Sequence, residues 1–517
     1  MDDAKYQAKI KTIDELKREI GPRPRDRSVV MCHGTFDVVH PGHVRHLMYA
    51  KGKADVLVAS LTCDEHIEKA NFRPFVPENL RALNLAALDM VDYVLIDPSP
   101  TPLRNLEEIQ PDYFAKGYEY VAEGMPPATQ EEKKVLDTFG GEFIFTPGDI
   151  VYSSSKIIET MPPDIASDKL YMLLDAEGLS FQDLRDALDG FDKLTVHVVG
   201  DTILDSYTQT TMIGGQTKTP TMSVRFEDQT TYVGGAGIVA KHLRAGGANV
   251  VFTTVLGDDP WCEFTKEDLA EDGVELRAII SKNRPTTNKN AIICGGYRLL
   301  KIDTLDNRPI SHEILEEMCE GLRGTKSDAV VFSDFRHGIF NAMTIPTLIE
   351  SIPDSAFRVA DSQVASRWGN ICDFQNFDLI TPNEREARFS LGDQDSVIRP
   401  LALKLYREAN CRNLILTLGE RGLLAYRPRH QVDHDVRSFF VIDSFAGNVV
   451  DAVGSGDALL SYATLAHAAH GNEVVATVLG AMAGAVECER EGNVPVTPAD
   501  IIEKINQVER RATFSSA

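Results

Sequence analysis

A short apolar run, a glycine loop and a proline-opened helix follow one another in residues 29–51, and no other stretch restricts the fold as much. They read Val-Val-Met-Cys-His-Gly-Thr-Phe-Asp-Val-Val-His-Pro-Gly-His-Val-Arg-His-Leu-Met-Tyr-Ala-Lys. Val29, Val30 and Met31 predict a buried parallel strand. His33, Gly34 and Thr35 break it into a loop. Pro41 stands where a helix tolerates proline, and Val44, Leu47 and Met48 follow at helical spacing. His40 and His43 are three apart, so both face the same way at the helix start. Unbonded N–H groups and the positive end of the helix dipole gather there, which makes an anion site before any side chain is counted. Two imidazoles suit a phosphate whose negative charge grows during reaction, and Gly42 leaves room for its approach.

The stretch closely resembles the nucleotidyltransferase superfamily with a His-x-Gly-His signature, in particular its cytidylyltransferase-like branch. The resemblance implies that His40 and His43 hold nucleotide phosphates, with Gly34, Thr35 and Phe36 beside the nucleotide. A phosphate oxygen of the second substrate would attack the α-phosphorus of a nucleoside triphosphate, and pyrophosphate would leave.

At 517 residues the chain predicts two or three domains. A net charge of −24 argues against a nucleic-acid or anionic-membrane surface. No apolar run reaches membrane-spanning length, and residues 1–28 are charged rather than signal-like. The scattered cysteines form no Cys-x-x-Cys pair, which fits reduced thiols in a cytoplasmic protein.

Residues 28–160 alternate strand and helix. Strands are expected at 55–61, 92–96, 112–115 and 142–145, and helices at 43–52, 78–90, 102–109 and 129–139. This predicts a doubly wound, Rossmann-like α/β domain with its crevice at the carboxyl ends of the strands. Lys51 ends the first helix, Arg73 and Arg81 flank another, and Lys116 follows a strand. By resemblance, Lys51 and Lys116 contact phosphate or nucleotide, and Ser153, Ser154 and Ser155 contact the triphosphate. Alone, such lysines are solvated charges and the serines a helix N-cap. The serines replace the family's usual Ser-Thr-Thr but keep every hydroxyl. Residues 1–27 read as an N-terminal extension and 161–192 as a linker, entered by Met161-Pro-Pro-Asp164.

Residues 193–510 alternate differently, with strand-like pieces through 208–232 that suggest a small β lid over an α/β core. Asp451-Ala-Val-Gly454-Ser455-Gly456-Asp457 precedes a helix expected over 458–470. Its glycines let N–H groups converge on a phosphoryl group, with Asp457 placed to take a proton from the attacking hydroxyl. Asn383 and Glu386 follow another strand and suit a Mg²⁺–phosphate network. A lone Gly-x-Gly-Asp is more often an ordinary turn. The order Gly-Asp-x-x-x-Asp, Gly-Gly, Asn-x-x-Glu, Gly-x-Gly-Asp is more specific.

That order resembles the ribokinase-like (PfkB) sugar kinases. It implies Asp201 and Asp205 on substrate hydroxyls, with Gly234 and Gly235 beside them. Asp457 would be the base and Gly454 to Asp457 the anion hole. Asn383 and Glu386 would organise Mg²⁺, and Gly419 and Gly422 would lie along the nucleotide. The two halves resemble the family of two-domain heptose kinase/nucleotidyltransferases with the domain order reversed. Ser333-Asp334-Phe335-Arg336-His337-Gly338 and Asp361 match the same kinases. Ile238 replaces an Asn that would bond a sugar hydroxyl, Val453 replaces a usual Thr, and Asp361-Ser-Gln lacks a usual Pro-Lys.

The expectation is a cytoplasmic bifunctional enzyme, a homodimer. It would use ATP and Mg²⁺ to phosphorylate a heptose-like sugar or sugar phosphate, and CTP or ATP to activate a sugar 1-phosphate. The alternatives are a transferase whose kinase-like half only binds ligand or joins subunits, and both activities on a polyol or pentitol.

Overall fold

In the computed structural model, residues 4–67, 74–117, 126–146, 166–214, 222–363, 369–426 and 439–512 are described. The chain divides into two α/β units, Met1–Asp164 and Ile165–Ala517.

The first unit carries a five-stranded sheet in the order β3-β2-β1-β4-β5. Its strands are β1 (Val29–Gly34), β2 (Val56–Thr62), β3 (Tyr93–Asp97), β4 (Tyr113–Gly117) and β5 (Glu142–Thr146), all parallel. Alternating residues serve opposite faces: Val30 and Cys32 join one apolar core, Val29 and Met31 the other. The order reverses between β1 and β4, which puts the ligand crevice at their carboxyl ends. The helix expected over 78–90 stops at Ala86, because residues 87–91 turn in tight backbone bonds to feed β3. Residues 4–27 are more than an appendage. Helix Ile13–Ile20, fixed by a Thr12–Glu15 capping box, buries Leu16 and Ile20 in the core around Val29, Met31 and Phe114.

The second unit is built on a nine-stranded sheet, β10-β9-β6-β13-β14-β15-β16-β17-β18. In chain order these are β6 (Thr195–Gly200), β9 (Asn249–Gly257), β10 (Glu275–Ser281), β13 (Ala329–Asp334), β14 (Phe357–Ser362), β15 (Leu379–Ile380), β16 (Asn413–Thr417), β17 (Leu423–Tyr426) and β18 (Phe439–Ile442). All pair in parallel except the antiparallel β16–β17 and β17–β18. A small sheet, β12-β11-β7-β8, is the expected lid. It comprises β7 (Thr202–Gly214), β8 (Ser223–Gly235), β11 (Asn288–Cys294) and β12 (Tyr297–Thr304).

The linker reading of 161–192 is corrected. Helices Ala166–Ala176 and Phe181–Asp186 place Leu170, Leu174, Phe181 and Leu184 in the core of the second unit, beside Val196, Leu460 and Ile505. Each such side chain contributes about 1.5–3 kcal/mol by burial, so the segment is structural. Among the described residues no helix is long and apolar enough to cross a membrane.

Candidate active sites

In the first unit, His40 caps helix Pro41–Lys51 with its own ring: Nδ1 accepts the Gly42 N–H at 3.1 Å. In a neutral ring this leaves the proton on Nε2, which is then a donor for an anion. Burial pushes His40 below its usual pKa and favours that neutral form. His43 stacks on it at 3.9 Å, and Phe36 stands 5.1 Å from His43 with a left-handed φ of 49°. The loop is held from below by Arg81, which is wholly buried. Its guanidinium donates to the carbonyls of Val76, Thr35 and Thr62 and pairs with Asp64. The sequence showed Arg81 only as a charge on a helix, because its acceptors come from separate stretches of the chain.

The lysines part company. Lys51 ends the helix that His40 begins, about 15 Å away at 1.5 Å per residue. Its ammonium donates at 2.6 Å to both Asp92 and the Asp55 carbonyl, before β3 and β2 begin. It therefore lies at the amino ends of the strands, and the expected phosphate contact is corrected. Lys116 does end β4 at the crevice, where it pairs with buried Glu132 and donates to Thr129. Arg73, Ser153, Ser154 and Ser155 lie outside the described residues.

A polar row was not anticipated. His33 contacts Ser60 at 2.9 Å and Thr62 at 3.2 Å, and wholly buried Asp97 stands 3.9 Å from the same ring. Burial drives His33 down to about 3 and Asp97 up to about 6. The residues lie on three strands, so only pairing could have revealed the row.

In the second unit, Gly454 opens helix Ser455–His470 with φ 84°, and a Cβ at Gly456 would meet nothing. The turn thus has open space over it, as an anion hole requires. Ser455 Oγ donates to the Ala452 carbonyl, within the turn. Asp457 stands in its first helical turn, pushed up to about 8 by burial and then by Glu487, Asp205 and Glu386. Asn383 and Glu386 cap their own helix reciprocally: the Glu386 carboxylate accepts the Asn383 N–H at 2.8 Å, and Asn383 Oδ1 accepts the Glu386 N–H at 2.9 Å. Burial, and after it the charge of Glu386, raises Asp361 well above the usual carboxylate range. Carboxylates whose charges act on one another suit Mg²⁺, which would supply charge neutralisation when bound.

The sugar-side residues divide likewise. Asp201 is committed to the fold: one oxygen accepts the N–H groups of Phe335 and His337 at 3.0 and 3.1 Å. That oxygen shapes the loop after β13. Asp205 lies on the lid opposite Lys289, with Lys301 and Arg298 also acting on its charge. Gly234 and Gly235 are required, because a Cβ would come within 2.4 Å of the Asp205 carboxylate and 2.5 Å of the Asp201 carbonyl respectively. Ile238 is 1% exposed and belongs to neither apolar core of the unit. One turn on, His242 accepts the Val496 N–H. Gly419 and Gly422 flank the turn between β16 and β17, where a Cβ at Gly422 would strike the Ile442 carbonyl.

Comparisons with known proteins agree with this division. The Cytidylyltransferase-like pattern matches residues 31–160. The chain is 26% identical over 335 residues to Bifunctional protein HldE of Bradyrhizobium sp. (strain ORS 278), covering 63% of this chain and 65% of that one. Bifunctional protein HldE of Geobacter metallireducens is 40% identical over 137 residues, 26% of this chain and 27% of that one. The chain thus spans 65% or less of these relatives' length. Phosphofructokinase-2 from Escherichia coli, solved with substrates and products, superposes with a TM-score of 0.51. It shares 17% identity, with 61% of this chain and all of that one covered, which establishes the fold of the second unit. The pfkB family carbohydrate kinase pattern matches residues 193–499. That match takes in more than half of the sequence, and the chain belongs to the pfkB family of carbohydrate kinases.

Proposed function

We propose that the chain is a bifunctional, cytoplasmic enzyme of nucleotide-sugar synthesis. Its second unit transfers the γ-phosphoryl group of MgATP to a sugar or sugar phosphate. Its first unit joins a sugar 1-phosphate to CTP or ATP and releases pyrophosphate. The observation that carries this reading is the pairing, in one chain, of stacked His40 and His43 at a helix start with Asp457 in the glycine turn of a kinase fold. Asp457 takes the proton of the attacking hydroxyl, and N–H groups of the Gly454–Asp457 turn receive the phosphoryl charge. In the first unit His40 donates Nε2–H to the phosphate on which charge develops, with His43 beside it.

Lys289, Lys301 and Arg298 around Asp205 favour a phosphorylated sugar, and the HldE relatives make a heptose the first candidate. A homodimer is supported by the opposite face of the lid, which leaves Phe226, Leu300 and Ile302 exposed. The test is pyrophosphate release from an NTP panel against sugar 1-phosphates, with ADP formation measured against sugars and their phosphates. Absence of either product across the panels would sink the corresponding half. A second reading keeps both activities on a polyol or pentitol. The apolar wall at Ile238 favours it, and the same panels decide it.

A further inference from the structure

One buried acid is used neither by the fold nor by the reaction as described. Glu487 stands in the last turn of helix Glu473–Cys488, 1% exposed, and neither carboxylate oxygen has a hydrogen-bond partner. Burial and the negative end of a helix dipole both oppose its ionisation. A hydrophobic residue there would avoid that cost. The carboxylate points at the phosphoryl-transfer turn: a Cβ on Gly454 would lie 3.1 Å from Glu487 Oε1 and 3.4 Å from Asn493 Oδ1.

The surrounding charges make the placement stranger. Asp205 and Glu386, on two other elements, act on Asp457, Glu487 acts on it more than either, and Asp457 in turn acts on Asp361. Around Glu487 itself, Arg490 is the favourable charge and Asp451 the unfavourable one, with the Val494 N–H directed toward it. Arg490 is already paired with Asp500. An ionised Glu487 would oppose a phosphate settling on the turn. A protonated one removes that repulsion and offers an O–H.

We propose that Glu487 is a positioning residue of the phosphoryl-transfer centre that takes up a proton from solvent when nucleotide phosphate occupies the Gly454–Asp457 turn. The proposal rests on the kinase reading of the second unit. The only bond formed is O–H on the Glu487 carboxylate, and the proton comes from buffer. Glu487 is pushed up to about 7, so uptake is greatest just above neutrality.

The test is calorimetric titration of the full chain with Mg-AMP-PNP at about pH 8. It uses buffers of different ionisation enthalpy, with His40→Ala present to weaken the other nucleotide site. The parent should take up a proton and lose affinity as pH rises, by up to about tenfold per unit. Glu487→Gln should take up none and bind with little pH dependence. Glu487→Val repeats the measurement should the glutamine protein fold poorly. Asp457→Asn should retain the uptake. Uptake that survives Glu487→Gln, or that disappears only in Asp457→Asn, would overturn the proposal. If the second unit of the parent binds no nucleotide at all, the kinase reading fails first and takes the proposal with it.

Discussion

His43 stacks on His40 with ring centroids 3.9 Å apart and planes 25° from parallel, while His40 Nδ1 is tied to the Gly42 N–H. Two rings in that arrangement cannot both carry charge cheaply, so at least one is a neutral donor until an anion arrives.

His40→Ala and His43→Ala should therefore each lower transferase kcat by about 100- to 1,000-fold, the range for losing one donor to developing charge. Kinase turnover should stay near wild type. Loss of both activities with an intact circular dichroism spectrum would contradict two separate sites.

Arg81 and Lys51 should behave oppositely. Arg81→Met leaves the carbonyls of Thr35, Thr62 and Val76 without their donor, at about 1–3 kcal/mol for each group that stays buried. It should lower the Tm and abolish the transferase. Lys51→Ala should leave transferase kcat and the KM for NTP nearly unchanged, since its ammonium serves Asp92 and Asp55. A large rise in KM for NTP would return Lys51 to the phosphate site.

Asp457→Asn should abolish sugar-dependent ADP formation while leaving nucleotide bound. It should also alter stability in a pH-dependent way. Asp457 is pushed up to about 8 in the folded chain, against about 3.9 when unfolded. Between those values the native state holds the extra proton, so this group's contribution falls as pH rises. The Tm of Asp457→Asn relative to wild type should accordingly climb from pH 5 to pH 8. A difference independent of pH would show that Asp457 does not hold a raised pKa in the folded chain.

Ile238→Asn should shift preference toward fully hydroxylated sugar phosphates. A sugar hydroxyl facing the isoleucine lacks a partner, at about 1–3 kcal/mol, and an amide would supply one. Ile238→Val, which only trims a methylene, is the control. The measurement is kcat/KM across a substrate panel for all three proteins. An unchanged ranking would make Ile238 a packing substitution.

Much of this was legible along the chain because it is local. The run from Val29 to Lys51 encodes strand, loop and helix through apolar spacing and one proline. Gly454 to Asp457 likewise encode a turn that opens a helix. Local signals also misled where a residue's partner lay elsewhere. Leu170 and Phe181 read as linker because their polar neighbours mask a face that only the second unit's core reveals. Lys51 reads as a phosphate ligand by its distance along the sequence from His40, but a helix carries it to the opposite edge of the sheet. Asp201 also has a fold role that its sequence position does not show, because the loop after β13 presents two N–H groups to one of its oxygens. Hydrophobic periodicity determines which elements form, because it acts between near neighbours. Which charges meet is decided by strand order and helix packing, and the effect of Glu487 on Asp457 exists only once two helices have brought them together.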